Sequence, residues 1–496
     1  MTNNSRTIKI ITISMWVYLI YYSINNLSID SWFMIASGEY IVENGIPYEN
    51  PWFVKEGLQI VIQQWLSDVY LYYLDKLGNI AMSISIIAQW IILIVLMSKL
   101  IQLRTNINKE NATLISTLAV LLSKFYIASI RAETITIILV VIELIAIEKY
   151  KSTNKVKWLS LLLVTMIFEI NLHASFWILH ILVVLAYIVP VPKQIKLKNN
   201  RELSHKQAVN IVVWTLISSV GMLINPYGIK AITYLPKALT DKTFQITSLA
   251  EVNSDIIWSY TGLVLALQLI LVTIKIVKKD ITSVELYMTI GLIVLQAKSI
   301  RNIMLIPIVL VYIADVINLD TIAEKLNKHK RIISIACNII ILAFTLLSVL
   351  KLISGEVKYE VDNSVIKEAD YILDCMGKDG VESDTPIYVN VNMGGYLEYR
   401  GFNKIYMDYR PEIYNLNMGA NDNNILIELN TIFNEGLQGN KYTANEEVKQ
   451  VLEYYNFEYI IAVKGYDYRL LSYLYGNQEE YQSKYSGSVF ELWKLK

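Results

Sequence analysis

A short stretch near the amino terminus combines an acidic residue with aromatic and amphipathic sequence. Asp30 follows the first long apolar segment directly and is itself followed by Ser31, Trp32 and Phe33. Aromatic residues favour the membrane–water interface, and an amphipathic helix there lies along the bilayer surface. The stretch therefore places a carboxylate at the membrane surface. We expect Asp30 to be the chemical centre of a membrane enzyme that acts on the outer face.

A histidine and a glutamate share one of the predicted outer turns. Glu169 and His173 are four residues apart, so one helical turn brings them together. A lone histidine among apolar segments is more often a hydrogen-bonded structural group than a catalytic one, and the neighbouring Glu169 raises the functional interpretation to equal weight. The outer segments contribute further polar candidates for substrate binding: Asn171, Asn225, Tyr227 and Glu251.

Cations at the outer ends of apolar segments predict a phosphate site. Lys124 and Arg131 are seven residues apart, Glu133 follows Arg131, and Lys298 and Arg301 lie in a later outer turn. Guanidinium forks match phosphate oxygens, so these cations can form a phosphate clamp. The alternatives stay open: a surface Arg131–Glu133 ion pair, side chains that reach the lipid headgroups, and cations that merely cap helix ends.

The elements that must position these residues are membrane helices. The chain has 496 residues, of which 54% are hydrophobic and 18% charged, with a mean hydropathy of +0.39. A spanning helix needs roughly 20 apolar residues. By that measure we expect about eleven spans, centred near residues 17, 91, 120, 141, 164, 183, 216, 267, 291, 310 and 342. The predicted fold class is a polytopic α-helical membrane protein.

The distribution of basic residues predicts the topology. Lysine and arginine concentrate in alternate loops, such as 149–157 and 193–206, whereas the loops between them hold few. By the positive-inside rule the amino terminus is cytoplasmic, and loop 26–78 and the chain after residue 354 lie outside. The first apolar segment lacks a small-residue cleavage site, so we expect a retained anchor in the plasma membrane.

Two domains are predicted. Residues 1–354 form the transmembrane domain, whose outer loop 26–78 holds amphipathic helices near 31–44 and 58–77; these helices can also be simple packing elements. Residues 355–496 alternate short strand-like and helical patterns, which predicts an extracytoplasmic α/β domain. The strand-like runs are 386–391, 404–408, 459–463 and 489–493, and the helical patterns lie near 363–376, 421–435 and 445–455. Asp408 and Arg410 are its polar candidates, with a local structural ion pair as the favoured interpretation. Gly394-Gly395 is predicted to form a turn.

Several kinds of site are missing from the sequence. We find no HExxH, GxSxG, P-loop or EF-hand pattern and no zinc-ligand spacing. The two cysteines, Cys337 and Cys375, cannot easily pair, because one lies in the last span and the other in the tail. We therefore assign no metal ligands, and with a net charge of zero we expect no nucleic-acid partner.

The order of these motifs resembles the bacterial GT-C class of membrane glycosyltransferases, near the RgtA/B/C/D-like families. The resemblance covers nearly the whole chain, and its individual motifs are short. They are Asp30-Ser-Trp-Phe, Gly45-Ile-Pro, Asn50-Pro51, Gln64-Trp-Leu-Ser-Asp68, Arg131, Asn171-Leu-His-Ala-Ser175, Asn225-Pro-Tyr-Gly228, Ser299-Ile-Arg301, Gly394-Gly-Tyr-Leu397 and Met407-Asp-Tyr-Arg410.

The resemblance implies a hexosyl- or pentosyltransferase that uses a polyprenyl-phosphate sugar. The acceptor would be a cell-envelope glycan, lipid or protein on the outer face, as in polysaccharide biosynthesis. Asp30 would be the base, His173 would orient the acceptor or bind phosphate, and the cations would bind the leaving phosphate. Asp30 is followed by serine and not by a second acidic residue, which leaves a divalent cation (Mg²⁺ or Mn²⁺) as an open cofactor.

Two other functions remain as alternatives. One is a non-catalytic membrane protein, either a flippase for lipid-linked glycans or a scaffold for polysaccharide assembly. A transporter is expected to show internal repeats and broken helices near the midplane, whereas here the polar residues gather at the outer ends of spans. The other is a glycan polymerase or ligase, which shares the donor chemistry and differs in the acceptor.

Overall fold

The computed structural model describes residues 3–240, 260–355, 358–359, 363–410, 412–413, 432–433 and 441–496, apart from residues 29, 193, 196 and 201. The chain forms two compact units. The first, called here the membrane unit, consists of Met1–Asn26, Leu74–Leu235 and Gln245–Val357. The second, called here the loop–tail unit, consists of Leu27–Tyr73, Pro236–Phe244 and Lys358–Lys496. Most of the predicted outer loop thus belongs to the same unit as the carboxyl-terminal tail.

The described α-helices are numbered in chain order. They are α1 (Asn3–Ser23), α2 (Asp30–Asn44), α3 (Trp65–Leu77), α4 (Asn79–Arg104), α5 (Lys109–Leu122), α6 (Lys124–Ile127), α7 (Glu133–Thr153), α8 (Ser160–Leu172), α9 (Trp177–Ile188), α10 (His205–Gly221), α11 (Ile229–Thr240), α12 (Tyr260–Val277), α13 (Ser283–Lys298), α14 (Ile306–Ile313), α15 (Leu319–Asn327), α16 (Lys330–Ser354), α17 (Asn363–Lys378), α18 (Val391–Tyr399), α19 (Lys441–Tyr455) and α20 (Tyr468–Gly476).

Three of the described helices, α4, α12 and α16, are long and apolar enough to cross a membrane. A fourth span is added if the bent pair Arg301–Val316 and Thr321–Asn327 counts as one crossing. Other predicted spans are helices as well, among them α1, α7 and α9, but they do not meet the same criteria of length and composition. The helical membrane class is supported, whereas the predicted number of about eleven spans is not confirmed.

The core of the membrane unit forms where apolar helix faces meet. α4 packs against α5 and α7, and it buries Trp90 and Leu93 completely. α7 packs in turn against α8, which also contacts α10. The helix starts are defined locally: Ser204 and Gln207 form a capping box at α10, and Thr282 and Glu285 form another at α13. This packing fixes the ends of α7 and α8, from which the candidate site residues project.

The loop–tail unit contains a four-stranded mixed sheet. Its strands are β1 (Ile387–Val389), β2 (Tyr459–Val463), β3 (Tyr481–Ser486) and β4 (Phe490–Leu495), in the order β1-β2-β4-β3. β1 and β2 are parallel, with Ile387 opposite Tyr459, and the other pairs are antiparallel. Every residue of the interior strand β2 is buried, which matches its unbroken apolar run. The predicted α/β character of the tail is supported.

Some local predictions for the tail differ from the structure. The strand predicted at 404–408 is reduced to isolated bridges at Ile405. β3, α18 and α20 were not anticipated by the sequence patterns. Most of the helix predicted near 421–435 lies outside the described residues.

The helix that begins at Asp30 packs against α18. Gly394 and Gly395, predicted to form a turn, lie within α18, so that prediction was wrong. A β-carbon on Gly394 would lie 1.9 Å from the carbonyl oxygen of Met407, and one on Gly395 would lie 3.2 Å from the β-carbon of Phe33. The two glycines therefore permit close packing on both sides of α18 and do not reverse the chain.

Candidate active site

Predicted site residues surround one carboxylate in the membrane unit. Glu133 is the first residue of α7, and Nη1 of Arg131 lies 3.7 Å from its Oε1. Glu133 also interacts electrostatically with His173 and Arg301. The side chains of Arg131 and Glu133 are only 8% and 12% exposed, so their ion pair is largely removed from solvent. We call Arg131, Glu133, His173 and Arg301 the cationic cluster.

The cationic cluster carries more positive than negative charge. Arg131 forms an ion pair with Glu133, Arg301 interacts with the same carboxylate electrostatically, and His173 adds a group that can be protonated. The Arg131 guanidinium lies over the ring of Tyr126, 5.1 Å from its centroid, which helps to hold its plane. Arginine forks bind phosphate oxygens in pairs. The cluster can therefore accommodate a phosphate, with Glu133 as the counter-ion of the arginines.

The other predicted cations lie apart from Glu133 or contact other groups. The Lys124 ammonium lies over the rings of Tyr18, Tyr22 and Phe125, at 5.4, 5.7 and 4.9 Å from their centroids. Lys298 is exposed at the last residue of α13. No described contact joins Lys298 to the cationic cluster, which makes it a useful control.

The predicted amide candidates stabilise turns. Asn171 donates hydrogen bonds to the carbonyl of Ile167 at 2.7 Å and to that of Ile224 at 2.8 Å. Asn225 donates to the carbonyls of Met222 and Gly228 and accepts from the backbone N–H of Tyr227 at 2.8 Å. Tyr227 is buried in the same turn. Glu251 lies outside the described residues.

A chain of buried polar side chains continues from His173 into the helix bundle. The hydroxyl of Thr136 lies 2.8 Å from Nδ1 of His173 and 2.7 Å from Oε1 of Glu169. The second carboxylate oxygen of Glu169 lies 3.3 Å from Nε2 of His180, whose Nδ1 pairs with Glu143. We call these five residues the carboxylate–imidazole chain. All are at most 7% exposed.

The sequence patterns singled out only His173 and Glu169 from this chain. The other three members lie in apolar helices, for which the sequence patterns predict membrane spans and no site: Glu143, His180 and Thr136. A signal was available, because ionisable residues inside apolar segments are rare and usually have a specific partner.

In the loop–tail unit, Arg410 joins the tail to the helix that begins at Asp30. Its guanidinium pairs with Asp408 and lies 2.8 Å from an oxygen of Glu398. It also donates to the carbonyl of Phe33 at 3.0 Å and to the hydroxyl of Ser37 at 2.8 Å. Asp408 and Arg410 thus form the predicted ion pair, and Arg410 also bonds the backbone of α2. Glu398 and Ser37 were not predicted.

Electrostatic interactions link Asp30 to Glu412, and Glu412 to Asp68, within the loop–tail unit. Asp30 is half-buried at the start of α2, where Ser28 accepts a hydrogen bond from its backbone N–H. It interacts electrostatically with Glu412, and burial raises the pKa of Glu412 to about 7. Asp68 is fully buried, and burial raises the pKa of its carboxyl well above the ordinary value although Arg410 opposes this. The sequence lacks a second acidic residue next to Asp30, but the fold supplies one in Glu412.

Among the described residues, no group of three or more histidine, cysteine, aspartate or glutamate side chains is arranged to hold a metal ion. We therefore derive no step through a metal.

Comparison with known proteins rests on solved structures. No family model matches the chain, and no curated protein matches it. This chain is similar in structure to archaeal oligosaccharyltransferase AglB from Archaeoglobus fulgidus, solved in complex with an inhibitory peptide and a dolichol-phosphate. The TM-score is 0.50 and the sequence identity is 11%, and the match covers 91% of this chain and 69% of that chain. This is the GT-C fold. At this identity the likeness concerns the fold alone.

Two further structures of the Archaeoglobus fulgidus oligosaccharyltransferase are more distantly similar. One is tethered to an acceptor peptide containing the NVT sequon, with a TM-score of 0.48 and 10% identity over 97% of this chain and 74% of that chain. The other is a complex with Zn and sulfate, with a TM-score of 0.45 and 9% identity over 88% of this chain and 64% of that chain. The chain thus spans about two thirds of these proteins. The similarity to AglB supports the GT-C fold, and the RgtA/B/C/D-like branch stays a prediction.

Proposed function

We propose that this protein is a multi-pass glycosyltransferase that moves a sugar from a polyprenyl-phosphate carrier to an acceptor of the cell envelope on the outer face of the plasma membrane. The observation that carries the proposal is the gathering of Arg131, His173 and Arg301 around Glu133. Arg131 and His173 are largely buried and Arg301 is exposed, and cations so placed suit the charge that develops on a departing phosphate. The GT-C fold is consistent with this chemistry.

The reaction needs a base and a stabilised leaving group. An acceptor hydroxyl attacks the anomeric carbon, and its proton passes to a carboxylate, for which we propose Asp30. The bond from the anomeric carbon to the phosphate oxygen breaks, and its electron pair leaves with the phosphate. The cationic cluster is proposed to bind that phosphate. A polyprenyl-phosphate sugar is already activated, so no nucleotide is required.

The proposal is tested by transfer of label from polyprenyl-phosphate sugars, hexoses and pentoses included, by the full chain in nanodiscs. Glycan, lipid and peptide acceptors are supplied in parallel, with added Mg²⁺ or Mn²⁺ and with a chelator. Asp30→Asn should abolish transfer while the protein still inserts. Arg301→Gln should lower kcat by about 10²–10³-fold, as expected for loss of a charge-stabilising donor.

The chain supplies a matched control for Arg301. Lys298→Gln removes a nearby exposed cation that has no described contact with the cationic cluster, and it should leave transfer close to wild type. Equal losses in both variants would contradict the phosphate site, and unchanged transfer by Asp30→Asn would remove Asp30 as the base. If the protein binds lipid-linked sugar and never transfers it, the flippase or scaffold alternative is favoured.

A further inference from the structure

The hydrogen bonds of Thr136 determine which nitrogen of His173 is protonated. The Thr136 hydroxyl has one hydrogen and two polar neighbours: Oε1 of Glu169 at 2.7 Å and Nδ1 of His173 at 2.8 Å. An ionised carboxylate can only accept, so the hydrogen of Thr136 is donated to Glu169. The threonine oxygen must then accept from Nδ1–H of His173. This nitrogen is protonated in the neutral and in the charged imidazole alike.

The other ring nitrogen of His173 is the one that can exchange its proton. Among the described residues, none forms a hydrogen bond with Nε2 of His173. Loss or gain of a proton there leaves the bond from Nδ1 to Thr136 intact. Nε2 is therefore the ring nitrogen that can bind a ligand, and His173 belongs to the cationic cluster.

His180 lies between two carboxylates and neighbours the one that accepts from Thr136. Its Nδ1 forms a hydrogen bond with Glu143, whereas its Nε2 lies 3.3 Å from Oε2 of Glu169 without hydrogen-bond alignment. The three side chains are at most 3% exposed, so they interact with one another and not with water. His180 thus occupies the Oε2 side of Glu169, and Oε1 accepts from Thr136.

We infer that Thr136, Glu169, His180 and Glu143 are positioning residues, which hold His173 with Nδ1–H on Thr136, and that the ring, in the form that also carries a proton on Nε2, donates a hydrogen bond from Nε2 to the leaving phosphate. This inference rests on the proposed function and gives His173 its role in it. The proton stays on Nε2 as the phosphate departs with the electron pair of the broken bond.

The protonation state can be measured without an activity assay. The chain contains four histidines, so ¹⁵N-histidine NMR spectra of the protein in nanodiscs can be assigned by single substitutions. We expect His173 to be protonated at Nδ1. Thr136→Val removes the acceptor and should abolish this preference, and Glu143→Gln should weaken it. The matched control is Thr165→Val, because this buried hydroxyl bonds only carbonyls of its own helix.

Transfer activity tests the donor role of Nε2. The amide nitrogen of glutamine can replace Nε2 of histidine, whereas that of asparagine replaces Nδ1. His173→Asn should lower kcat by about 10²-fold or more, the loss typical of one charge-stabilising donor. His173→Gln should retain more activity than His173→Asn. Thr136→Val should lower kcat more than it changes KM, and Thr136→Ser should restore it.

The outcomes separate this inference from the proposed function. If the wild type transfers sugar but Thr136→Val matches Thr165→Val in both the NMR spectra and kcat, the inference is wrong. Protonation of His173 at Nε2 alone would overturn it as well. If no donor supports transfer by the wild type, the proposed function fails, and the NMR result still decides the protonation of the ring.

Discussion

The buried carboxyl of Asp68 shows how burial changes the pKa of a single residue. It is fully buried in the loop–tail unit, and neither of its carboxylate oxygens forms a hydrogen bond with a described residue. Burial raises its pKa well above the ordinary value of 3.8. In the unfolded chain the carboxyl of Asp68 ionises near pH 3.8. Between that pH and the higher pKa of the folded state, the unfolded chain therefore binds fewer protons than the folded protein. Stability must then fall as the pH rises through that value towards the higher folded pKa.

Asp68→Asn should remove this dependence. The neutral amide has nearly the same shape, so we expect a higher Tm than wild type at pH 8 and a difference that shrinks towards pH 4. Each kcal/mol gained should raise Tm by roughly 2–4 °C. Thermal unfolding of the purified protein over this pH range measures the effect. Asp374→Asn, on the exposed face of α17, is the control and should leave Tm unchanged; equal shifts in both variants would contradict the argument.

The predictability of the site residues differed with their surroundings. Arg131, His173 and Arg301 stand out in the sequence because charged groups at the ends of apolar segments break the local pattern. Glu143 and His180 are surrounded by apolar neighbours along the chain, and their significance depends on a pairing between two helices. No periodicity within either helix encodes that pairing, so the sequence alone could not reveal it.

At the scale of elements, the packing of α18 depends on Gly394. A β-carbon there would lie 1.9 Å from the carbonyl oxygen of Met407, and a backbone carbonyl cannot move aside as a side-chain tip can. Gly394→Ala should therefore destabilise the loop–tail unit by about 1–3 kcal/mol, the usual cost of an overpacked core. A lower denaturant midpoint of the purified protein would measure the loss.

The chain offers a second helical glycine for comparison. Gly377 in α17 has nothing within 4 Å of where a β-carbon would lie. Gly377→Ala should leave stability unchanged or raise it by up to about 1 kcal/mol, because alanine favours a helix over glycine. If the two substitutions had the same effect, helix propensity and not close packing would govern Gly394.

The hydrogen bond from Arg410 to α2 could not be predicted from the sequence either, because it joins residues that are far apart along the chain. Arg410 and Phe33 are 377 residues apart, yet the guanidinium donates to the Phe33 carbonyl. Local patterns predicted that α2 is a helix and predicted the Asp408–Arg410 ion pair, but the expected amphipathic character of α2 is not seen, because residues 31–38 are all buried. They could not show that the ion pair stabilises the helix that starts at Asp30, because that contact depends on the tertiary fold alone.

At the scale of the whole molecule, orientation is the prediction on which outer-face chemistry depends. Alternate loops rich in lysine and arginine predict that residues 149–157 are cytoplasmic and that the tail after 354 is outside. The chain contains only Cys337 and Cys375, so a cysteine-free version with serine at both positions is easily made. New single cysteines can then report which side of the membrane each segment occupies.

Two exposed serines suit this test: Ser383 in the tail and Ser152 in a predicted cytoplasmic loop. In intact cells, a membrane-impermeant maleimide should label the Ser383→Cys chain and not the Ser152→Cys chain, and permeabilised cells should give labelling of both. The reverse pattern would place the tail inside, away from polyprenyl-phosphate sugars displayed on the outer surface. Asp30, in the same compact unit as the tail, could then not act as an outer-face base.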